Sequence, residues 1–219
     1  MSKSQDYIKT DKDHYGKIFV DISYAIDNIY PFLDSSILNK RKYAVKFPVI
    51  KKYLSLLDSA ELEAKKNTGF KSLFKTDNST SLLDSYKRDN NESLVQLENC
   101  SKCACLNCTA QCNFASCAGC KSKSYIKKCD HEQYNITFHE NFTLELTNNN
   151  SGNTNRYKVL ATMEDCVNDK KYIAIENIMN SQDKFILHYY SNISGDDFGE
   201  ITDGEEFDAI ASLYESSNY

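Results

Sequence analysis

The sequence predicts an α+β chain with three parts: an N-terminal helical unit, a cysteine-rich knuckle, and a C-terminal antiparallel β-meander with a terminal helix. Three observations predict it. Apolar residues recur at helical spacing through the first third of the chain. Eight of the nine cysteines fall between Cys100 and Cys129. Beyond them, apolar and polar residues alternate with the period of two that a half-buried strand requires. The expected boundaries are 1–67 for the helical unit, 68–99 for a linker, 100–131 for the cysteine segment, and 132–219 for the meander and its helix.

The first helix is read from Tyr15, Ile18, Phe19, Ile22, Ala25, Ile26 and Ile29, one buried stripe at i, i+3, i+4, i+7 spacing. Pro31 stops or kinks it, because proline lacks an N–H and clashes with the preceding turn. A short segment through Ile37 and Leu38 follows. A second helix is expected with Pro48 in its first turn, where the missing N–H costs nothing, carrying Ile50, Tyr53, Leu54, Leu57 and Leu62. From about Asn67 to Ser93, Ser, Asn and Asp dominate. That composition predicts a linker with one helical turn around Leu82–Tyr86.

In the tail, Phe142, Leu144 and Leu146 alternate with Thr143, Glu145 and Thr147. A turn over 148–155 leads to a strand near Tyr157–Met163, then to strands at Lys171–Glu176 and Lys184–Tyr190. Thr202-Asp-Gly-Glu205 reads as a capping box ahead of a helix that carries Phe207, Ile210, Ala211 and Tyr214.

Charge divides the chain in the same way. Residues 1–75 hold 14 Lys and Arg against 9 Asp and Glu, whereas residues 140–219 hold 5 against 15. A basic front and an acidic tail point to separate units. No window approaches the run of about 18 apolar residues of a membrane span, so no membrane partner is expected. The polar start, MSKSQDYIKTDKD, lacks the apolar stretch of a signal peptide. The expected compartment is therefore cytoplasmic, where disulfides are disfavoured and clustered thiols favour metal.

The cysteine segment reads C-x2-C-x-C-x2-C-x3-C-x4-C-x2-C-x8-C-x-H, from Cys100, Cys103, Cys105, Cys108, Cys112, Cys117, Cys120 and Cys129 to His131. Two-residue gaps let one tight turn aim two thiolates at one ion, and soft sulfur ligands favour zinc. Nine ligands fill two four-coordinate sites with one to spare. One partition joins Cys100 and Cys103 with Cys117 and Cys120, leaving Cys105, Cys108, Cys112 and either Cys129 or His131 for the second ion. The other joins Cys103 and Cys105 with Cys129 and His131, leaving Cys108, Cys112, Cys117 and Cys120. The second set resembles a SWIM-type zinc motif, which implies nucleic-acid or protein binding. Spacing leaves both open. Only Leu106, Phe114, Tyr125 and Ile126 could form a core here, so the knuckle is expected to be zinc-stabilised and the metal structural rather than catalytic. The C-x2-C-x2-C-x3-C run of bacterial ferredoxins is absent, which places an iron–sulfur cluster second to zinc.

Other groups carry weaker signals. Lys121, Lys123, Lys127 and Lys128, with Tyr125 among them, form a short basic run that could meet phosphates, although a solvated loop is the plainer reading. His14, His139 and His188 are isolated, and Cys166 reads as an ordinary thiol in an acidic turn. No nucleophile accompanies the carboxylates of DDFGEITDGEE, so no catalytic residue is assigned.

The segments FTLELT, RYKVLATMED, KKYIAIENI, KFILHYY and FGEITDGEEFDAIASLYES together resemble the YrzB-like family of small bacterial proteins, a domain of unknown function. The resemblance covers about residues 138–217 and implies the same strand order followed by a helix. It supplies no catalytic residue, and the helical front and cysteine segment are additions to it. The expectation is a non-enzymatic zinc-binding adaptor or regulatory protein acting through a protein partner. An iron–sulfur or redox-active thiol protein and a nucleic-acid-binding zinc module are the alternatives.

Overall fold

The computed structural model describes residues 3–29, 31–33, 35–66, 76–110, 120–121, 123–148, 151–192 and 195–218. It divides into two compact units: Met1–Lys102 with Leu106–Thr109, and Cys103–Cys105 with Ala110–Tyr219.

The first unit is helical: α1 (Lys3–Ile29), α2 (Ser35–Leu38), α3 (Lys42–Lys66), α4 (Thr76–Asp89) and α5 (Asn91–Lys102). Helix α1 stops before Pro31 as expected, but it starts three turns before Tyr15. Ile8, Asp11, Ile18, Ile22 and Ala25 are all buried, and with Tyr15 they form one stripe at alternating spacings of three and four. Asp11 is the position that hides this stripe in the sequence, since a carboxylate there reads as a break in the apolar pattern. Tyr53 donates its hydroxyl to the Asp11 carboxylate, and Lys87 of α4 pairs with it at 3.0 Å.

Pro48 lies inside α3, not in its first turn. The helix begins at Lys42, and Tyr43 is already buried. Pro48 itself is exposed, so water can reach the carbonyl one turn back that the missing N–H leaves unbonded. Leu62, expected on the buried stripe, is exposed. The side chains of Ile29 and Ile37 lie outside the described residues.

The expected linker is the larger correction. Of residues 68–99, 76–89 form α4 and 91–99 belong to α5. Leu83 packs against Tyr53, Leu57 and Ile8, while Leu94 and Leu97 enter the core formed by Ile18, Ile22, Ala25 and Ile50. Residues of low helix propensity are held helical here by the few leucines they bury, the usual way in which packing overrides composition.

The second unit is a seven-stranded antiparallel sheet with one helix. Its elements are β1 (Ile126–Cys129), β2 (Tyr134–Phe138), β3 (Thr143–Thr147), β4 (Thr154–Asp165), β5 (Lys170–Asn177), β6 (Asn180–Asn192), β7 (Gly195–Glu200) and α6 (Gly204–Glu215). The order is β1-β2-β4-β5-β6-β7, with β3 also on β4. Strand β2 pairs with Ala161–Asp165 of β4 and β3 with Thr154–Lys158, so β2 and β3 lie end to end along one side of β4. The sequence predicts the strands here numbered β3 to β6 and misses β1, β2 and β7.

A bulge interrupts β4. Val159 faces Ile175 and Ala161 faces Ala174, which leaves Leu160 as an extra residue. On one face of the sheet, Ile136, Ala161, Met163, Tyr172 and Ala174 pack with Ile210 of α6. On the other, Val159, Ile173 and Ile175 pack with Leu144, Leu187, Tyr189 and Phe198. The cap of α6 is Asp203 rather than Thr202, its carboxylate accepting from the N–H groups of Glu205 and Glu206. Glu206 then docks the helix by accepting from Tyr172 Oη at 2.6 Å and Lys170 Nζ at 2.9 Å. These donors hold its carboxyl below the usual range. Phe207, expected on the buried stripe, is exposed, while Ile210 and Ser217 are buried.

Candidate metal centre

The described cysteines of the segment divide between the two units. Cys100 belongs to the last turn of α5, buried in the helical core beside Leu97 and Leu106, with Gln96 Nε2 donating to its sulfur at 3.6 Å. Cys129 is the last residue of β1 and belongs to the sheet. Of the expected core residues between them, Leu106 joins the helical unit and Ile126 is fully buried in the second. Phe114 lies outside the described residues, as do Cys112 and Cys117.

In the second unit, Cys103–Cys105 runs beside the start of β1. Ala104 N donates to Ile126 O at 2.8 Å, and Ile126 N donates to Cys103 Sγ at 3.4 Å. At the other end of β1, Asp130 builds the turn into β2. Its Oδ1 accepts from the N–H groups of Glu132 at 3.0 Å, Gln133 at 2.9 Å and Tyr134 at 2.8 Å. That turn places His131 in the left-handed region, at φ 63°. His131 N donates to Cys129 Sγ at 3.4 Å, and its Nδ1 lies 3.6 Å from the same sulfur. Backbone N–H donors of this kind stabilise a sulfur that carries negative charge.

The 3.6 Å separation bears on the metal. With zinc–sulfur and zinc–nitrogen bonds of about 2.3 and 2.0–2.1 Å at a tetrahedral angle, two ligands of one zinc stand about 3.6 Å apart. Cys129 and His131 are therefore already spaced as one edge of a zinc tetrahedron. The rest of the tetrahedron is not drawn together: among the described residues, no group of three or more His, Cys, Asp or Glu is placed to hold one metal ion. The set of Cys103, Cys105, Cys129 and His131 consists entirely of described residues, and it does not converge. The Cys103 sulfur lies beside the first residue of β1 and Cys129 is the last residue of that strand, so the two stand at opposite ends of it. Cys105, Cys108 and Cys120 are half-buried.

Two residues near this edge carry no sequence signal. Asn135 stands opposite Cys129 in the β1–β2 pairing. It is fully buried, with its Oδ1 unpartnered among the described residues, and its Nδ2 donates to Cys166 Sγ at 3.3 Å. Cys166, read as an ordinary thiol, thus lies one side chain away from the residue facing Cys129. Only the strand register brings these together.

The basic run does not stay together. Lys121 pairs with Glu164 at 2.9 Å, while Lys128 donates to Ser216 at 3.0 Å, just past α6. Those two partners lie on opposite faces of the sheet. Lys123 and Lys127 are exposed. Of the isolated histidines, His188 faces Glu206 at 3.6 Å and His14 faces Glu98 at 3.5 Å. His139 Nε2 lies 2.9 Å from Thr162 Oγ1.

No protein-family model, curated protein or solved structure matches this chain. No helix among the described residues is long and apolar enough to cross a membrane.

Proposed function

We propose that this chain is a non-enzymatic zinc-binding protein of adaptor or regulatory type, in which Cys129 and His131 form one edge of a structural site and further thiolates of the segment complete it. The observation that carries the reading is the Cys129 Sγ to His131 Nδ1 separation of 3.6 Å, held by a turn whose backbone Asp130 organises. The donor set supports zinc over harder ions, since sulfur and imidazole are the ligands that borderline-soft metals prefer. A site closed by four protein ligands leaves no position for water, which is why the metal is assigned a structural role. The YrzB-like resemblance of residues 138–217 belongs to the same proposal and adds no catalytic group.

Elemental analysis of the purified full chain tests this. The expected result is zinc near two ions per chain, reduced in a Cys129→Ser variant. Iron at comparable stoichiometry with a visible charge-transfer band would replace this reading with the iron–sulfur alternative. Salt-dependent binding to generic RNA or DNA would favour the nucleic-acid alternative, although the divergence of Lys121 and Lys128 weakens it.

A further inference from the structure

The sheet face away from α6 carries a cleft of about 720 Å³, within the range of small-molecule sites. Its floor comes from β2 and β4, where Thr137 and Thr162 stand opposite each other. One wall carries Phe142 and Leu144, and the other Tyr189 and Phe198. Two features of the floor go beyond ordinary packing. Thr137 is fully buried, and its Oγ1 has no hydrogen-bond partner among the described residues. A buried hydroxyl left in that state costs free energy that a ligand atom could recover. Beside it, His139 Nε2 lies 2.9 Å from Thr162 Oγ1, and burial pushes the imidazole below its ordinary pKa. His139 is therefore neutral at pH 7 and contributes no charge.

The charged groups lining the cleft are Lys121, Glu145, Glu164, Lys171 and Asp196. Lys121 and Glu164 neutralise one another at 2.9 Å. Lys171 stands opposite Glu164 in the β4–β5 pairing and makes no ion pair among the described residues. The β5 end of the cleft thus keeps one cation in excess, whereas Glu145 and Asp196 belong to strands at the two sides, β3 and β7. The apolar side chains Phe142, Leu144, Ile173 and Phe198 fill the remainder.

We propose that this cleft binds a small amphipathic carboxylate, with its head group between Lys171 and the Thr137 hydroxyl and its apolar part against Phe142, Leu144 and Phe198. The site lies wholly within the second unit and does not depend on the metal reading. A carboxylate offers acceptors to both the ammonium and the hydroxyl, and an apolar chain or ring covers the walls.

The test is displacement of 8-anilinonaphthalene-1-sulfonate from the full chain by decanoate and, as a charge control of equal length, decylamine. Decanoate is expected to displace the dye from a single site, with decylamine roughly tenfold weaker. Lys171→Glu is expected to weaken decanoate roughly tenfold and Lys171→Met somewhat less. Thr137→Val, which removes the hydroxyl at constant shape, is expected to weaken it about threefold without lowering the melting temperature. Equal binding of decylamine, decanoate affinity unchanged in both Lys171 variants, or absence of saturable decanoate binding by the folded protein would each overturn the proposal.

Discussion

Lys87 of α4 and Asp11 of α1 meet across the helical unit, Nζ to Oδ2 at 3.0 Å, and Tyr53 of α3 donates to the same carboxylate. Three helices thus converge on one buried charge. Burial and the Asp11 carboxylate together push the Tyr53 hydroxyl far above its ordinary pKa. Removing Asp11 alone takes the carboxylate acceptor from the buried Tyr53 hydroxyl and the counter-ion from Lys87. Asp11→Ala is therefore expected to cost about 3 kcal/mol, read from urea unfolding. The double variant Asp11→Leu with Lys87→Met is expected to recover most of that loss, because it removes both charges together. A double variant as unstable as Asp11→Ala would show that the network is not what holds α4 in place.

His131 combines two properties, a left-handed backbone and an imidazole beside Cys129. Asparagine tolerates that backbone region but offers no imidazole. His131→Asn is therefore expected to keep the unfolding midpoint of the metal-free chain while lowering zinc affinity by about tenfold or more, in line with the loss of a metal ligand or its support. Competition with a chromophoric chelator measures it. Unchanged zinc retention would remove His131 from the site.

The depressed pKa of His139 makes stability depend on pH. The unfolded imidazole titrates near 6.5, while the folded one binds its proton only at a lower pH. Above about 6.5 both states are neutral, and this contribution to stability is fully present. As pH falls from there toward the folded value, the unfolded state gains the proton first and stability declines, by at most about 1.4 kcal/mol per pH unit from this one group. The slope of unfolding free energy between pH 7 and pH 5 is expected to be shallower in His139→Gln than in the wild type. Equal slopes would place the effect elsewhere.

Asp203 caps α6 through two backbone N–H groups, at 2.9 Å from Glu205 and 3.3 Å from Glu206. Asp203→Ala is expected to cost about 1 kcal/mol, whereas Thr202→Ala leaves stability within a few tenths because Thr202 is not the cap. Thermal melts of the two variants distinguish them.

Much of the architecture is legible in the sequence where apolar spacing is uninterrupted. Ile18, Ile22 and Ala25 mark α1, and Leu144 and Leu146 mark β3. The misses share a physical cause: each involves a polar residue in a place that only packing explains. Asp11 occupies a stripe position because Tyr53 and Lys87 satisfy it. Pro48 survives inside α3 because it faces solvent. Helices α4 and α5 form from Ser- and Asn-rich sequence because Leu83, Leu94 and Leu97 have partners more than twenty residues away in the chain. Strand β7, with the sequence Gly-Asp-Asp-Phe-Gly-Glu, has too little alternation to announce itself. The Cys-x-His pair was visible from spacing alone. Asn135, Thr137 and Thr162 gain their significance from register, which no local pattern reports.

The bulge at Leu160 preserves the register of everything downstream in β4. Because successive side chains of a strand point to opposite faces, an inserted position would exchange the roles of all that follow unless a bulge set it outside the alternation. Upstream of Leu160, Val159 faces away from α6. Downstream, Ala161 and Met163 face α6, and Thr162 and Glu164 take the other side. The bulge thus works like the correction of a frameshift, written in three dimensions. Deleting Leu160 would join Val159 to Ala161 in unbroken alternation, opposite the consecutive residues Ile175 and Ala174, and leave Met163 facing the helix and Glu164 facing away. By absorbing that leucine, the bulge keeps the oily and polar halves of this strand in phase with the sheet around them.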